Sequence, residues 1–398
     1  MRGLHFDLSY LADALKNGVI TSVELTEECL RRMNAEHCAQ HFVYVDADGA
    51  MAAARASDAR RAEGSSLGWL DGIPFAAEDR FCVKGMATEN RCGMLRDYRP
   101  PYDAYAIQRL REAGAVLLGK LKTDGFLSGR TEEKNVREGL VGNAGAIPFA
   151  LMAETGGSLM GHAARDAAAC ISPLVSRWGL ISCAPSFDCV GVMTGTAWDC
   201  ASLVDFLNNG NQENAHQERR CKRIALWGMT EQNFLPAEAE CCGVDLPDMD
   251  VLLQAYKILS AVESASEMAM YDGIRFGVKG DDQSDARELT AAIRGKTFSF
   301  EEQKLILLGT ALLMDEHRSG CYRAARGWRE KLQRHLRDLF KKFDILVCPL
   351  SEKTAFLPGF AGLSAVSCEG LLWMTPRERE ADLLAFARQN RLERSVER

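Results

Sequence analysis

Ser158 stands in the run Glu-Thr-Gly-Gly-Ser-Leu-Met-Gly, where residue types and spacing could do covalent chemistry. Two glycines let a backbone turn sharply and approach another molecule closely. The apolar LMGHAARDAAACI that follows reads as a helix start, and the first N–H groups of a helix could face a developing oxyanion. A serine there can attack a carbonyl if a base takes its proton. The same letters fit a glycine turn closed by an N-cap serine. His162 lies four residues past Ser158, one helical turn on, a spacing that aims the two side chains roughly parallel. Metal chemistry has no such foothold. None of the 14 cysteines forms a C-x-x-C pair, and His162 and Cys170, eight apart, match no common zinc spacing. No cofactor is expected.

The elements that must position these residues follow from periodicity. Leu8, Leu11, Ala12 and Leu15 share one helical face that Gly18 ends, and Thr21 with Glu24 makes a capping box opening a helix through Met33. HFVYV (41–45) reads as a strand, followed by an alanine-rich helix ended by Gly64. Gly72 and Pro74 turn the chain into PFAA, and a helix after PPYDA leads through Gly114 into the strand Val116–Leu118. Residues 129–165 are glycine-rich without clear periodicity. Helices are predicted over 197–208, 249–265 and 301–342, and strands over 223–228 and 343–349. From TPRERE onward the chain reads as a charged helix or tail. Strands alternating with helices predict an α/β fold with helices on both sheet faces.

The chain has 398 residues, 47% hydrophobic and 26% charged, with a formal net charge of -7. That balance argues against nucleic-acid binding spread over the whole surface. One local exception is the stretch from Arg318 to Lys342, with nine Lys or Arg against two acids. Its stripe of Tyr322, Trp328, Leu332, Leu336 and Leu339 makes an amphipathic surface helix the default, with RNA contact as the alternative. No apolar run reaches the roughly 20 residues that span a bilayer. The N-terminus does not read as a signal peptide. Reduced thiols in a cytoplasmic protein are expected.

In order along the chain, TSVELTEECLRRM, LDGIPFAAEDRFCVKGMAT, PPYDAYAIQRLREAGAVLLGK, PFALMAETGGSLMG, SRWGLISCAPSFDCVGVMT, LLQAYKILSAVESASEMAMYDGIRFG, ILLGT and FDILVCP match motifs of a known family. The chain resembles the amidase-signature family, and within it the A subunits of glutamine-dependent aminoacyl-tRNA amidotransferases, over roughly residues 8–370. The resemblance implies an α/β fold with a large mixed sheet flanked by helices on both faces. It implies one amidase-like domain over 1–372, with 373–398 as a charged C-terminal helix or tail. The family's chemistry uses a Ser–cis-Ser–Lys triad in which a neutral lysine deprotonates a serine that in turn activates the nucleophile.

Carried over residue by residue, the nucleophile position is Ser158, and Thr155, Gly156 and Gly157 form the oxyanion and substrate loop. The family lysine aligns with Glu78, a shorter side chain whose charged form is negative; its bland reading is a solvated or salt-bridged surface carboxylate. Lys84 belongs to a separate match and does not replace it. Between Gly129 and Pro148 there is no serine. An ungapped count puts Lys134 at the cis-serine position, and a shortened loop that no longer builds the site is the economical reading. The arginine after the nucleophile is Met160 and the proline is His162. Lys304 and Leu305 stand at the candidate positions for the arginine that holds glutamine's carboxylate. The expectation is a catalytically degenerate homologue acting through partner or ligand binding. The ligand expected is a small amide, and the partner expected is a B- or C-type amidotransferase subunit. The alternatives are an active enzyme pairing Ser158 with Glu78, Lys134 or His162, and a purely structural member of a complex.

Overall fold

In the computed structural model, residues 6–127, 139–142, 145–162, 167–210, 221–229, 239–275, 285–314, 316 and 318–396 are described. Eleven strands form one mixed sheet: β1 (Phe42–Val45), β2 (Pro74–Glu78), β3 (Val116–Leu121), β4 (Phe149–Glu154), β5 (Ala168–Ser172), β6 (Cys189–Thr194), β7 (Arg223–Leu226), β8 (Glu240–Gly243), β9 (Ile345–Pro349), β10 (Leu363–Cys368) and β11 (Leu371–Pro376). Their spatial order is β1-β3-β2-β4-β6-β5-β10-β11-β9-β7-β8. β2 runs parallel to both β3 and β4, and β7 parallel to β8 and β9, whereas the centre is antiparallel. β2 through β6 are buried along their whole length. Such strands read as continuous apolar runs because both faces are covered. Phe75 and Phe149 stack across β2 and β4 at 5.2 Å, locking the register that brings the two strand ends together.

Helices cover both faces of this sheet. The first ones begin where the sequence predicts. Asp7 caps α1 (Leu8–Lys16), and the Thr21–Glu24 capping box opens α2 (Ser22–Met33). After the short α3 (Glu36–Ala39) come α4 (Ala47–Ala62), α5 (Tyr105–Glu112), α6 (Ser158–His162), α7 (Ala197–Asn209), α8 (Met249–Met268) and α9 (Ala286–Thr297). The single helix predicted over 301–342 is instead two. A second capping box, Ser299 with Glu302, opens α10 (Phe300–Leu312), and a π-helical turn at Arg318–Tyr322 leads into α11 (Arg323–Leu339). α11 buries Leu332, Leu336 and Leu339, sets Arg326 against Glu330 and Lys331 over Trp328, and turns Arg329 inward, where it donates to the Phe360 carbonyl and lies over the Phe187 ring. α12 (Leu357–Ala361) precedes a hairpin of β10 and β11, joined by Glu369 and Gly370, both at positive φ. The boundary expected between 372 and 373 falls inside β11. The charged ending is α13 (Glu380–Val396), which buries Leu383 and sets Phe386 edge-on against Trp373 at 4.9 Å. A helix that covers an internal strand belongs to the same core as the rest.

α10 crosses α8 at Gly309, where an added Cβ would sit 2.2 Å from the Ala261 carbonyl oxygen. No side chain fits without prising the helices apart. Gly309→Val is therefore expected to destabilise by about 1–3 kcal/mol. Gly295, inside α9 with open space around its Cβ position, supplies the opposite sign. Gly295→Ala is expected to stabilise by up to about 1 kcal/mol. Urea unfolding of both variants checks the pair.

Candidate active site

β2 and β4 end side by side, and the candidate residues gather there. Parallel pairing between them stops at Ala77 and Leu151. The next N–H, that of Ala153, is satisfied by the side chain of Glu78, whose Oε2 accepts it at 2.8 Å. Glu78 is buried, 5% exposed, and its charge acts on the neighbouring Arg80. The surface-carboxylate reading is thus corrected: Glu78 is an interior group held against the backbone of the strand that leads to Ser158.

β4 delivers Glu154, then the turn Thr155-Gly156-Gly157, then Ser158 as the first residue of α6. Both glycines have positive φ, 71° and 94°. A Cβ at Gly156 would fall 1.8 Å from Tyr256 Oη, and one at Gly157 within 2.8–3.0 Å of Ala355 and Phe356. The close approach expected toward a substrate is here an approach to the chain's own side chains. The Thr155 N–H points at Ser158 Oγ, 3.3 Å away. The Gly157 N–H donates to Glu154 Oε1, and the N–H groups of Leu159 and Met160 donate to Glu154 Oε2 at 2.7 and 3.1 Å. Loop and helix donors expected to face an oxyanion therefore hold an internal carboxylate. Glu154 is 1% exposed; burial pushes its pKa up to about 7, against the lowering pull of those backbone donors.

A second buried group braces the same turn. Arg80, fully buried just past β2, donates through Nη1 to Thr155 Oγ1 at 3.0 Å, through Nη2 to Asp188 Oδ1 at 3.1 Å, and through Nε to the Ile181 carbonyl at 3.1 Å. Thr155 Oγ1 also donates to Asp188. Asp188 Oδ2 accepts from Ser182 Oγ and from the N–H groups of Cys183 and Ala184. Burial alone would raise the Asp188 carboxyl, but Arg80 and these donors hold it below the usual carboxylate range. Beside it, Lys120 Nζ pairs with Asp79 at 3.0 Å and donates to the Phe81 carbonyl and Thr88 Oγ1. Burial lowers the lysine and raises the aspartate.

The other sequence candidates do not join this cluster among the described contacts. Lys134 lies outside the described residues, and His162 closes α6 with a side chain that is not described. Met160 is fully buried. Lys84 is exposed. Lys304 pairs with Glu301 on the outer face of α10, and Leu305 is buried in a separate apolar cluster. Sequence reasoning missed Glu154, Arg80 and Asp188. The available signal was an acid or base placed at the end of an otherwise apolar strand or within two residues of it, where a charge must find buried partners.

Comparison with known proteins gives this geometry a context. A family model described as Amidase matches residues 24–172 and 229–375. The A subunit of the glutamyl-tRNA(Gln) amidotransferase of Chloroflexus aurantiacus is 32% identical over 408 aligned residues, covering 88% of this chain and 83% of its own. That of a Psychrobacter species is 30% identical, covering 88% and 83%. Among solved structures, an amidase superposes with a TM-score of 0.75 at 21% identity, covering 97% of this chain and 99% of its own. The native peptide amidase of Stenotrophomonas maltophilia gives a TM-score of 0.75 at 21% identity, covering 97% and 96%. The two structures share the fold.

Proposed function

On the premise that this chain belongs to the amidase family, we propose that it is a catalytically degenerate relative of the amidotransferase A subunits, acting through a partner protein or a small amide ligand rather than by hydrolysing amides. The observation that carries this reading is the use made of Glu78. Where the family's chemistry needs a neutral amine, this chain has a buried carboxylate that accepts the Ala153 N–H and faces Arg80. A carboxyl so engaged is a shorter group than the family's lysine, and its Oε2 is already committed to the Ala153 N–H. Lys134 completes the reading, since the sequence between Gly129 and Pro148 offers no serine for the relay. The partner is a B- or C-type amidotransferase subunit, in keeping with relatives that are themselves the A components of such enzymes. A cytoplasmic location belongs to the same proposal; no helix among the described residues is long and apolar enough to cross a membrane.

A fluorophosphonate probe together with ammonia release from glutamine tests this reading. Wild type and Ser158→Ala are expected to behave alike in both assays. Labelling or turnover in wild type that disappears in Ser158→Ala would establish instead an enzyme with a rearranged base.

A further inference from the structure

α11 concentrates positive charge on a chain whose total is negative. Between Arg318 and Lys342 nine Lys or Arg stand against two acids, while the whole chain carries a formal charge of -7. At about 100° per residue, Arg323, Arg326, Arg334 and Arg337 lie within about 70° of the line opposite the buried Ala325, Leu332, Leu336 and Leu339. All four are exposed. From first to last they span about 21 Å of helix. Arg326 meets Glu330 at 3.9 Å, but Arg323, Arg334 and Arg337 make no hydrogen bond or ion pair among the described residues. Gly327, between them, has open space where a Cβ would stand, so the row is uncovered there. Past the helix Lys341 and Lys342 are also exposed, with Lys341 answered by Asp338. Arg379 and Arg223 beyond them are balanced by Asp344 and Asp382, which marks the end of the row.

What the face lacks narrows the partner. No apolar side chain lies on the outward line between Arg323 and Lys341; Trp328 stands at its edge, half-buried under Lys331. A protein partner would need apolar groups for a dehydrated centre, from which charges are depleted. A bilayer would need an apolar face to insert, and the apolar face of α11 packs on the core. A phosphodiester backbone needs neither. It presents a charge about every 1.7 Å of duplex and releases its counterions to a row of cations. Arginine suits it further, because a guanidinium can hold phosphate through two parallel N–H bonds. The acidic balance of the chain as a whole argues against general binding, so the contact belongs to this row.

We infer that the outward face of α11, from Arg323 to Lys341, binds the phosphate backbone of a nucleic acid without reading its base sequence. The inference is independent of whether Ser158 reacts.

Fluorescence anisotropy of the full chain tests it, with labelled single-stranded RNA, duplex RNA and duplex DNA, and with polyglutamate as the acidic-peptide probe. At about 50 mM salt wild type is expected to bind nucleic acid in the micromolar range and to lose roughly thirtyfold by about 200 mM. Arg323→Gln, Arg334→Gln and Arg337→Gln combined should weaken binding roughly tenfold or more and reduce the log–log salt slope by about two to three, near one for each lost phosphate contact. Arg55→Gln, Arg96→Gln and Arg287→Gln combined remove the same charge at other exposed positions and should leave affinity and slope nearly unchanged. All six changes are on the surface, so both variants should melt close to wild type. RNA bound more tightly than DNA, or the reverse, identifies the source of the phosphates, and either supports the inference. No binding of any nucleic acid at about 50 mM salt overturns it. So does a row variant that behaves like the control variant. Polyglutamate bound more tightly than nucleic acid would assign the face to an acidic protein, and a strong dependence on base sequence would refute the backbone-only reading.

Discussion

Arg80→Met is expected to cost about 3–5 kcal/mol of folding stability, the range for stripping one partner from a buried ion pair. Asp188 would keep Thr155, Ser182 and the Cys183 and Ala184 N–H groups but lose the cation that offsets its burial. The Ile181 carbonyl would lose two guanidinium donors. The damage should centre on the Thr155 turn, because Arg80 and Asp188 hold it from opposite sides. Urea unfolding reads the loss as a lower midpoint at unchanged slope. The sign with pH follows from the Asp188 shift. In wild type its carboxyl lies below the ordinary value, so it contributes stability above the unfolded pKa that is lost as pH falls through the folded one. Without Arg80 that contribution shrinks, and the gap between wild type and variant should narrow in acid. Pairing Arg80→Met with Asp188→Asn should cost less than the sum of the two single changes, because the second removes the charge the first left stranded. Additive costs would mean that the pair is not coupled.

How much of this is legible in the letters depends on burial. Thr21 with Glu24 and the apolar face of α1 announce themselves, since a cap followed by a half-buried helix leaves a periodic trace. β4 does not: FALMAE is buried on both faces and carries no alternation, so it vanishes into the glycine-rich middle. α10 and α11 merge into one predicted helix because both are rich in helix formers, and Gly320 in the π-turn between them has no proline after it to mark a stop. β11 is cut by a boundary drawn between 372 and 373, shortly before charged TPRERE, although LLWM (371–374) lies inside the sheet. At the site, the glycine turn and the helix start at Ser158 are readable from the local letters, but those letters fit a plain capped turn as well, and only the resemblance marks Ser158 as the nucleophile position. Glu78, Glu154, Arg80 and Asp188 are harder for one shared reason. A charged residue is exposed by default. For Glu78, Arg80 and Asp188, only partners across the sheet, 75 or more positions away, reveal the burial.

Glu154→Gln is expected to remove a large pH-dependent loss of stability that the wild type carries. The wild-type carboxyl moves from an ordinary 4.5 to about 7 on folding. The folded chain therefore holds a proton that the unfolded chain has released, and stability falls as pH rises between those two values. At 1.36 kcal/mol per pH unit the fall attributable to Glu154 is about 3 kcal/mol from pH 4.5 to 7. Glutamine keeps an acceptor for the Leu159 and Met160 N–H groups but cannot ionise. The variant should be the less stable protein at pH 4.5, where the wild type carries no charge to bury and the amide NH2 of glutamine would face the Gly157 N–H that Glu154 Oε1 accepts. It should close the gap or overtake by pH 8. Stability–pH curves of the two proteins, subtracted, isolate this group from Asp79 and Glu380, whose carboxyls burial also raises. A flat difference curve would show that Glu154 does not change its proton on folding in this range. The chemistry of the turn follows the same curve. Above pH 7 a resident negative charge sits on the N–H groups of Gly157, Leu159 and Met160. An oxyanion forming at Ser158 would then have to share its donors with a carboxylate, in the alkaline range where serine nucleophiles ordinarily work best.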